Sequence, residues 1–472
     1  MTSQLIRTLF AQDIYRRIEE VIKVDQVDEQ IILDEINEYV LTKAIRDYYR
    51  AILERYSETP NRPHEGVGIW VSGFFGSGKS SFAKNLGIAL ANRALLGERA
   101  AECFGAQSGD TRIQVLLTTI VERIPTHAVI FDISSARGIR TGNQTVTEIM
   151  YRLFLESLGY ARDLDLAELE ITLDLDGRLQ HFKDTFAQLY GKPWDQQKGL
   201  VAIALSQASR VMHALEPDTF TTPDSWVQAA QQRADITPSL LAERCKQLMQ
   251  RHKPDETLVF VIDEVGQFVA RDVQKMLDLQ AVVQSLGRVG RGKMWLIVTS
   301  QEKLNELVGG LDDKRVELAR LMDRFPQELQ VHLEPSDISE VTGKRVLAKN
   351  APAQHILRPL FETHRGALEA HTRLTADIKL PELSADRFID LYPLLPYQVD
   401  LIIQVVSGLR LQSGTSKHVG GANRTIIKLA QQVLINPAVN LAEHSVGELV
   451  TIAQIYDLVD SNIASDIRGK IF

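Results

Sequence analysis

The octapeptide GFFGSGKS, Gly73 to Ser80, satisfies the spacing GxxxxGK[ST], the pattern of a loop that holds phosphate oxygens. Its glycines let backbone N–H groups turn inward around an anion, and a helix starting at the loop's end adds its positive dipole end. On this reading Gly73, Phe74, Gly76, Ser77, Gly78, Lys79, Ser80 and Ser81 bind the nucleotide. Lys79 reaches the β- and γ-phosphates and Ser80 ligates Mg²⁺. The chain has no NKxD-like guanine-reading tetrapeptide at a suitable place, which favours ATP. The second chemical feature is TLVFVIDEVGQF, where an apolar run leads straight into Asp263 and Glu264. Two carboxylates at a strand end suit hydrolysis, because Asp263 can hold the Mg²⁺ shell while Glu264 orients and deprotonates water.

Further polar positions are candidates by their place in the chain. KMWLIVTSQEKL ends in Thr299, Ser300 and Gln301. In nucleotidases with an extra strand between the phosphate-loop strand and the Asp-Glu strand, a polar side chain here reaches the γ-phosphate or the attacking water. The sequence does not choose between Ser300 and Gln301. Arg324 stands at a helix end just before the strand in DRFPQELQVHLEP. AAA+ proteins commonly project an arginine from this place into a neighbouring subunit's nucleotide. Arg320 and Arg315 are substitutes for that role, and a surface ion pair with Asp323 is the plainer alternative. In HVGGANRTIIKLAQQVL, Arg424 resembles the sensor 2 arginine that touches the γ-phosphate from a helical lid. Residues 401–442 hold Arg410, Lys417, Arg424 and Lys428 but no acid, a candidate local DNA contact.

Three features carry plainer expectations. The acidic run Arg162 to Arg178 lacks the ligand set of a calcium loop and reads as a solvated face. His364 and His371 have no metal-ligand companions. GRVGRGK, before Met294, reads as a helix-to-strand turn.

The elements that must position these residues follow from periodicity. Apolar runs at Val67–Val71, Ala128–Ile133, Leu258–Ile262, Met294–Thr299 and Glu328–Leu333 alternate with helical patterns, which predicts an α/β fold with a mainly parallel sheet covered by helices. Ile32, Ile36, Val40, Ala44, Tyr48 and Ile52 recur every fourth position, predicting one amphipathic helix from Asp28 to Tyr56. The stretch at about 157–250 predicts a helical insertion. No convincing strand follows Pro335, where Ile338–Lys349, Tyr397–Leu409 and Arg424–Leu434 predict helices. The expected organisation is an N-terminal helical segment at 1–62, a nucleotide-binding core at 63–335 and a helical lid at 336–472.

Composition narrows the class. With 53 Lys and Arg against 61 Asp and Glu, the net charge of −8 excludes a protein that binds nucleic acid through its whole surface. Two cysteines build no disulfide framework and have no zinc-site spacing. The apolar runs are too short to span a bilayer and the start lacks a signal-peptide pattern, so a soluble, cytoplasmic protein is expected. The last residues stay apolar-periodic to Phe472 without a stop signal, as in a piece of a longer polypeptide.

Several phrases together resemble one family. IRTLFAQDIYRRIEEVIKVDQVDEQIILDEINEYVLT, GIWVSGFFGSGKSSFAKNLG, IDEVGQFV and LYPLLPYQVDLI are similar to the P-loop ATPase of BREX bacteriophage-exclusion systems, the BrxC or PglY type. Family members are considerably longer, so the resemblance is to their N-terminal ATPase region. It implies an AAA+ ATPase that assembles on binding ATP. Its implied partners are a DNA methyltransferase, an alkaline-phosphatase-like protein and small accessory proteins, in host DNA modification and blocking of phage replication. Gly78, Lys79, Ser80, Asp263 and Glu264 match the family's nucleotide motifs, whereas Arg324 and Arg424 are carried by position within the wider AAA+ pattern. The alternatives are a nucleotide-dependent scaffold or switch with negligible turnover and a DNA-stimulated motor or loader.

Overall fold

The computed structural model describes residues 4–16, 23–59, 61–73, 77–136, 144–230, 236–269, 272–304, 323–372, 382–402 and 426–459. Five strands form one parallel sheet: β1 Gly68–Gly73, β2 Thr126–Asp132, β3 Thr257–Asp263, β4 Met294–Ser300 and β5 Gln330–Leu333. Their spatial order is β2-β3-β4-β1-β5. The inner strands β3, β4 and β1 are buried at every position, which is why they read as unbroken apolar runs. The edge strands β2 and β5 mix buried and half-buried positions. In register, Asp132 stands opposite Asp263, and Ser72 opposite both Ser300 and His332. The carboxyl ends of all five strands therefore line one edge, where open α/β sheets bind ligands.

Two helices lead into β1: α1 Glu29–Asn37 and α2 Lys43–Glu58. The single helix expected from Asp28 to Tyr56 is thus broken at 38–42, where Thr42 caps α2 by accepting from the Ile45 N–H at 3.2 Å. The physical reason lies in the period. A spacing of four residues drifts about 40° per repeat around a helix, so one face cannot stay buried over seven turns. After the break the buried face is Ile45, Tyr49, Ile52, Leu53 and Tyr56, and Ala44 is exposed. Helix α3, Lys79–Leu90, follows the glycine loop and is buried along most of its length. Tyr49 stacks on Phe82 with ring centroids 4.2 Å apart and donates to its carbonyl at 3.0 Å, fixing α2 against α3.

Between β2 and β3 the described residues form only helices, from Val146–Ser157 to Pro238–His252, and they share the sheet's core. The acidic run proves only partly solvated. Glu170 is 1% exposed and accepts from the Trp194 indole at 2.6 Å and from the Lys198 ammonium at 3.2 Å, and Asp174 is held by Arg251 and His252. Buried carboxylates persist where such donors replace water. In GRVGRGK the first four residues end the helix Val273–Gly290, and the turn into β4 is made by the rest, with Arg291 and Gly292 in the left-handed region.

Beyond β5 the described residues are helical: α4 Pro335–Arg345, α5 Ala351–His371, α6 Ala385–Leu391, α7 Ile426–Ile435 and α8 Ile452–Val459. They build a second core that also takes in Ile6, Leu9, Phe10 and Ile14. The described part of the N-terminal segment is therefore shared: residues 4–16 pack with the C-terminal helices, whereas α1 and α2 belong to the sheet's core. The LYPLLPYQ phrase is the clamp of this second core. Tyr392 Oη accepts from the Gly447 N–H at 2.9 Å, and buried Gln398 accepts from the Leu395 N–H and donates to the Val450 carbonyl, both at 2.8 Å. Among the described residues no helix is long and apolar enough to cross a membrane.

Candidate functional site

The site is assembled at the carboxyl edge of the sheet. A Cβ on Gly73 would stand 2.8 Å from the Leu333 carbonyl and 2.6 Å from Ser77 Oγ, so only glycine fits where β1 passes into the loop. Gly78 adopts φ +89° as the N-cap of α3, and no side chain caps that helix. Its first N–H groups and positive dipole end are therefore offered at the loop. Ser77 is 7% exposed, and its hydroxyl has no hydrogen-bond partner among the described residues. A buried polar atom left so marks a place where a ligand can supply the missing bond. Ser80 and Ser81 follow in the first turn, half-buried. Phe74 and Gly76 lie outside the described residues.

Two strands away, β3 delivers Asp263 and Glu264. Asp263 is 6% exposed and accepts from the Thr299 hydroxyl. The same Thr299 oxygen accepts the Glu264 N–H at 2.9 Å, so one side chain of β4 fixes both acidic residues. Glu264 holds φ +60°, a conformation that costs a non-glycine residue about 1–2 kcal/mol and turns its carboxylate away from the strand line. Burial pushes the Glu264 carboxyl above its usual value, and the charges of Asp132 and Asp263 push the same way. Ser134, donating at 3.4 Å, and the positive charge of Lys79 oppose them. Asp132 is also raised, by burial first and then by Asp263, against the Ser134 N–H that it accepts at 2.7 Å.

The structure thus brings together Ser77, Gly78, Lys79, Asp263 and Glu264 and adds Asp132 and Ser134, which sequence reasoning did not single out, and Thr299, which it named only as part of a polar strand end. An aspartate ending an apolar strand is a weak signal alone, and it gains meaning only from the register that sets Asp132 beside Asp263. Of the two candidates at the end of β4, Ser300 is buried against the short helix Val265–Val269 that follows Glu264, its hydroxyl accepting from the Glu302 N–H at 3.1 Å. A Cβ on Gly266 would meet that hydroxyl at 2.0 Å. Gln301 is exposed. The polar contact to the acid pair comes from Thr299.

Arg324 is at the other end of the sheet. Its carbonyl lies 2.7 Å from where a Cβ on Gly68 would stand, at the amino end of β1, about 16 Å of strand away from Gly73. It does not reach this chain's own loop. Its Nε is buried without a partner. Arg315, Arg320, Arg410, Lys417 and Arg424 lie outside the described residues, and of the basic set expected to touch DNA only Lys428, half-buried on α7, is described.

Among the described residues no group of three or more His, Cys, Asp and Glu is placed to hold a metal ion by itself. The donor set that remains, one carboxylate and a serine hydroxyl beside a phosphate loop, is the kind Mg²⁺ uses, since that ion takes one or two carboxylates and completes its shell with phosphate and water. No family model matches the sequence, and no solved structure matches the chain.

Proposed function

We propose that the chain is a P-loop ATPase of the AAA+ type that binds and hydrolyses MgATP to drive a conformational change in a cytoplasmic BREX anti-phage defence and DNA-modification complex. The observation that carries the ATPase reading is a single juxtaposition. A glycine-started helix with Lys79 and the orphan Ser77 hydroxyl shares the sheet edge with Asp263 and Glu264, and the strand bearing Thr299 lies between them. The strand order β2-β3-β4-β1-β5 supports the AAA+ assignment. The BREX setting, with its methyltransferase, alkaline-phosphatase-like and accessory partners, rests on the sequence resemblance.

In this mechanism the loop amides, the Ser77 hydroxyl and the Lys79 ammonium bind the phosphates, and Ser80 and Asp263 would hold Mg²⁺. The ion supplies charge neutralisation on the phosphate oxygens. Glu264 takes the proton of the attacking water at its carboxylate, and its environment raises its basicity towards that task. Thr299 keeps Asp263 and Glu264 in place. Arg324, at the far end of β1 from its own loop, would act on a neighbouring subunit's nucleotide where several copies assemble on ATP binding. The shape change then acts on partners or DNA.

Calorimetry of MgATP uptake and steady-state phosphate release test the reading. Lys79→Ala weakens ATP binding at least about tenfold. Glu264→Gln retains binding and slows release by about 10² to 10⁴. ATP uptake by Lys79→Ala equal to that of the unmodified chain removes the nucleotide reading. Binding without any Glu264-dependent release points to the scaffold instead.

A further inference from the structure

Beside the start of α3 a narrow cleft is walled by Ser77 and Ser81, by Glu38 and Tyr39 after α1, and by Val341 and Arg345 of α4. Three parts of the chain meet there: the glycine loop, the N-terminal helix pair and the C-terminal helical unit. Arg345 and Glu38 pair on the cleft wall. The Arg345 Nη2 and Nε donate to one oxygen of Glu38, at 2.6 and 3.1 Å. Its side chain is 15% exposed, that of Glu38 34%. A second guanidinium, of Arg16, donates to the Arg345 carbonyl, and its charge is attracted by Glu38 and repelled by Arg345. Asp13 attracts Arg16 as well. The other acid on the cleft wall, Glu35, is already neutralised by Lys84. Arg345 therefore lines the same cavity as the Ser77 hydroxyl, which has no hydrogen-bond partner among the described residues.

We infer that Arg345 is a nucleotide-contacting residue: it leaves Glu38 for an anionic oxygen of the bound nucleotide, and so links the C-terminal helical unit to occupancy of the cleft. The inference rests on the nucleotide reading above. The exchange is favourable because a pair whose carboxylate is a third exposed is weak, whereas a planar guanidinium on a phosphate oxygen makes a strong, charge-assisted contact. Glu38 is then a competitor for Arg345 rather than a strut, which gives the two residues opposite signs. Loss of Arg345 weakens binding and loss of the Glu38 charge strengthens it.

The experiment is calorimetric titration of the whole chain with MgATP, on the unmodified protein, Arg345→Ala, Arg345→Lys, Glu38→Gln, the double variant Glu38→Gln/Arg345→Ala, and Lys79→Ala. Thermal midpoints are recorded for each. Arg345→Ala is expected to bind at least about tenfold more weakly, and Arg345→Lys to recover part of the loss. Glu38→Gln is expected to bind about threefold more tightly and to change nothing in the Arg345→Ala background. Unchanged affinity in folded Arg345→Ala, or weaker binding by Glu38→Gln, overturns the inference. Should Arg345→Ala not fold, Glu38→Gln decides alone: tighter binding supports the inference, and equal or weaker binding overturns it. If the unmodified chain takes up no ATP, the nucleotide reading and this inference fall together. If Lys79→Ala loses ATP while Arg345→Ala and Glu38→Gln do not change it, only this inference falls.

Discussion

Glu264 combines two costs at one residue. It sits in the left-handed region at φ +60°, and its carboxyl is raised by burial and by the charges of Asp132 and Asp263. Such costs concentrate where chemistry needs them. The sign of the titration follows. A raised folded-state value means that the protonated form is favoured by the fold, so this group's contribution to stability is present below the unfolded value and is lost as pH rises through the folded one. On the proposed ATPase reading activity runs the other way, because Glu264 as the base must be deprotonated. Turnover should therefore fall, on acidification, at a higher pH than an ordinary glutamate would impose. Asp132→Asn removes one repelling charge and moves that acid limb to lower pH, and a pH profile of phosphate release checks it. An acid limb that stays in place would show that Asp132 does not act on Glu264.

The element that carries the loop, α3, is held through a buried ion pair. Lys84 is 1% exposed and donates to Glu35 of α1, 8% exposed, and to the Lys23 carbonyl at 2.8 Å. Burial pulls the ammonium below its usual value, and Glu35 works against that shift. Removing one member strands the other in a dry site, so Lys84→Met should cost about 3–5 kcal/mol. Replacing both, Lys84→Met with Glu35→Leu, should recover most of it. Denaturant unfolding of the two variants measures the difference, and equal losses would mean that the pair's charges are not what matters. Such a pair could not be read from the sequence, where Lys84 and Glu35 look like two more surface charges on amphipathic helices.

At the scale of the molecule, two hydrophobic cores meet around the cleft, and the chain's first residues belong to the later core. The distance from Arg324 to its own loop makes the site, as proposed, dependent on a second copy. Phosphate release per chain should then rise with protein concentration, and Arg324→Ala should remove that rise with a loss of about 10³ or more. Turnover independent of concentration, with sedimentation showing a monomer throughout, would end the role of Arg324 in a neighbour's site.

The five strands and the glycine loop were legible in the sequence because their causes are local. A strand buried on both faces must be apolar at consecutive positions, as in LVFVI before Asp263, and a backbone that wraps phosphate needs glycine at fixed spacing. The α1–α2 break was hidden because apolar residues at every fourth position imitate a continuous stripe. Only the tertiary structure decided that Asp132 joins Asp263 and Glu264, that Thr299 touches the acid pair, that Arg324 lies at the amino end of β1, and that Arg345 pairs with Glu38 beside the loop. Each of these depends on strand order, register or the meeting of segments far apart in the chain, and no local pattern encodes which distant side chain will fill the space beside a given one.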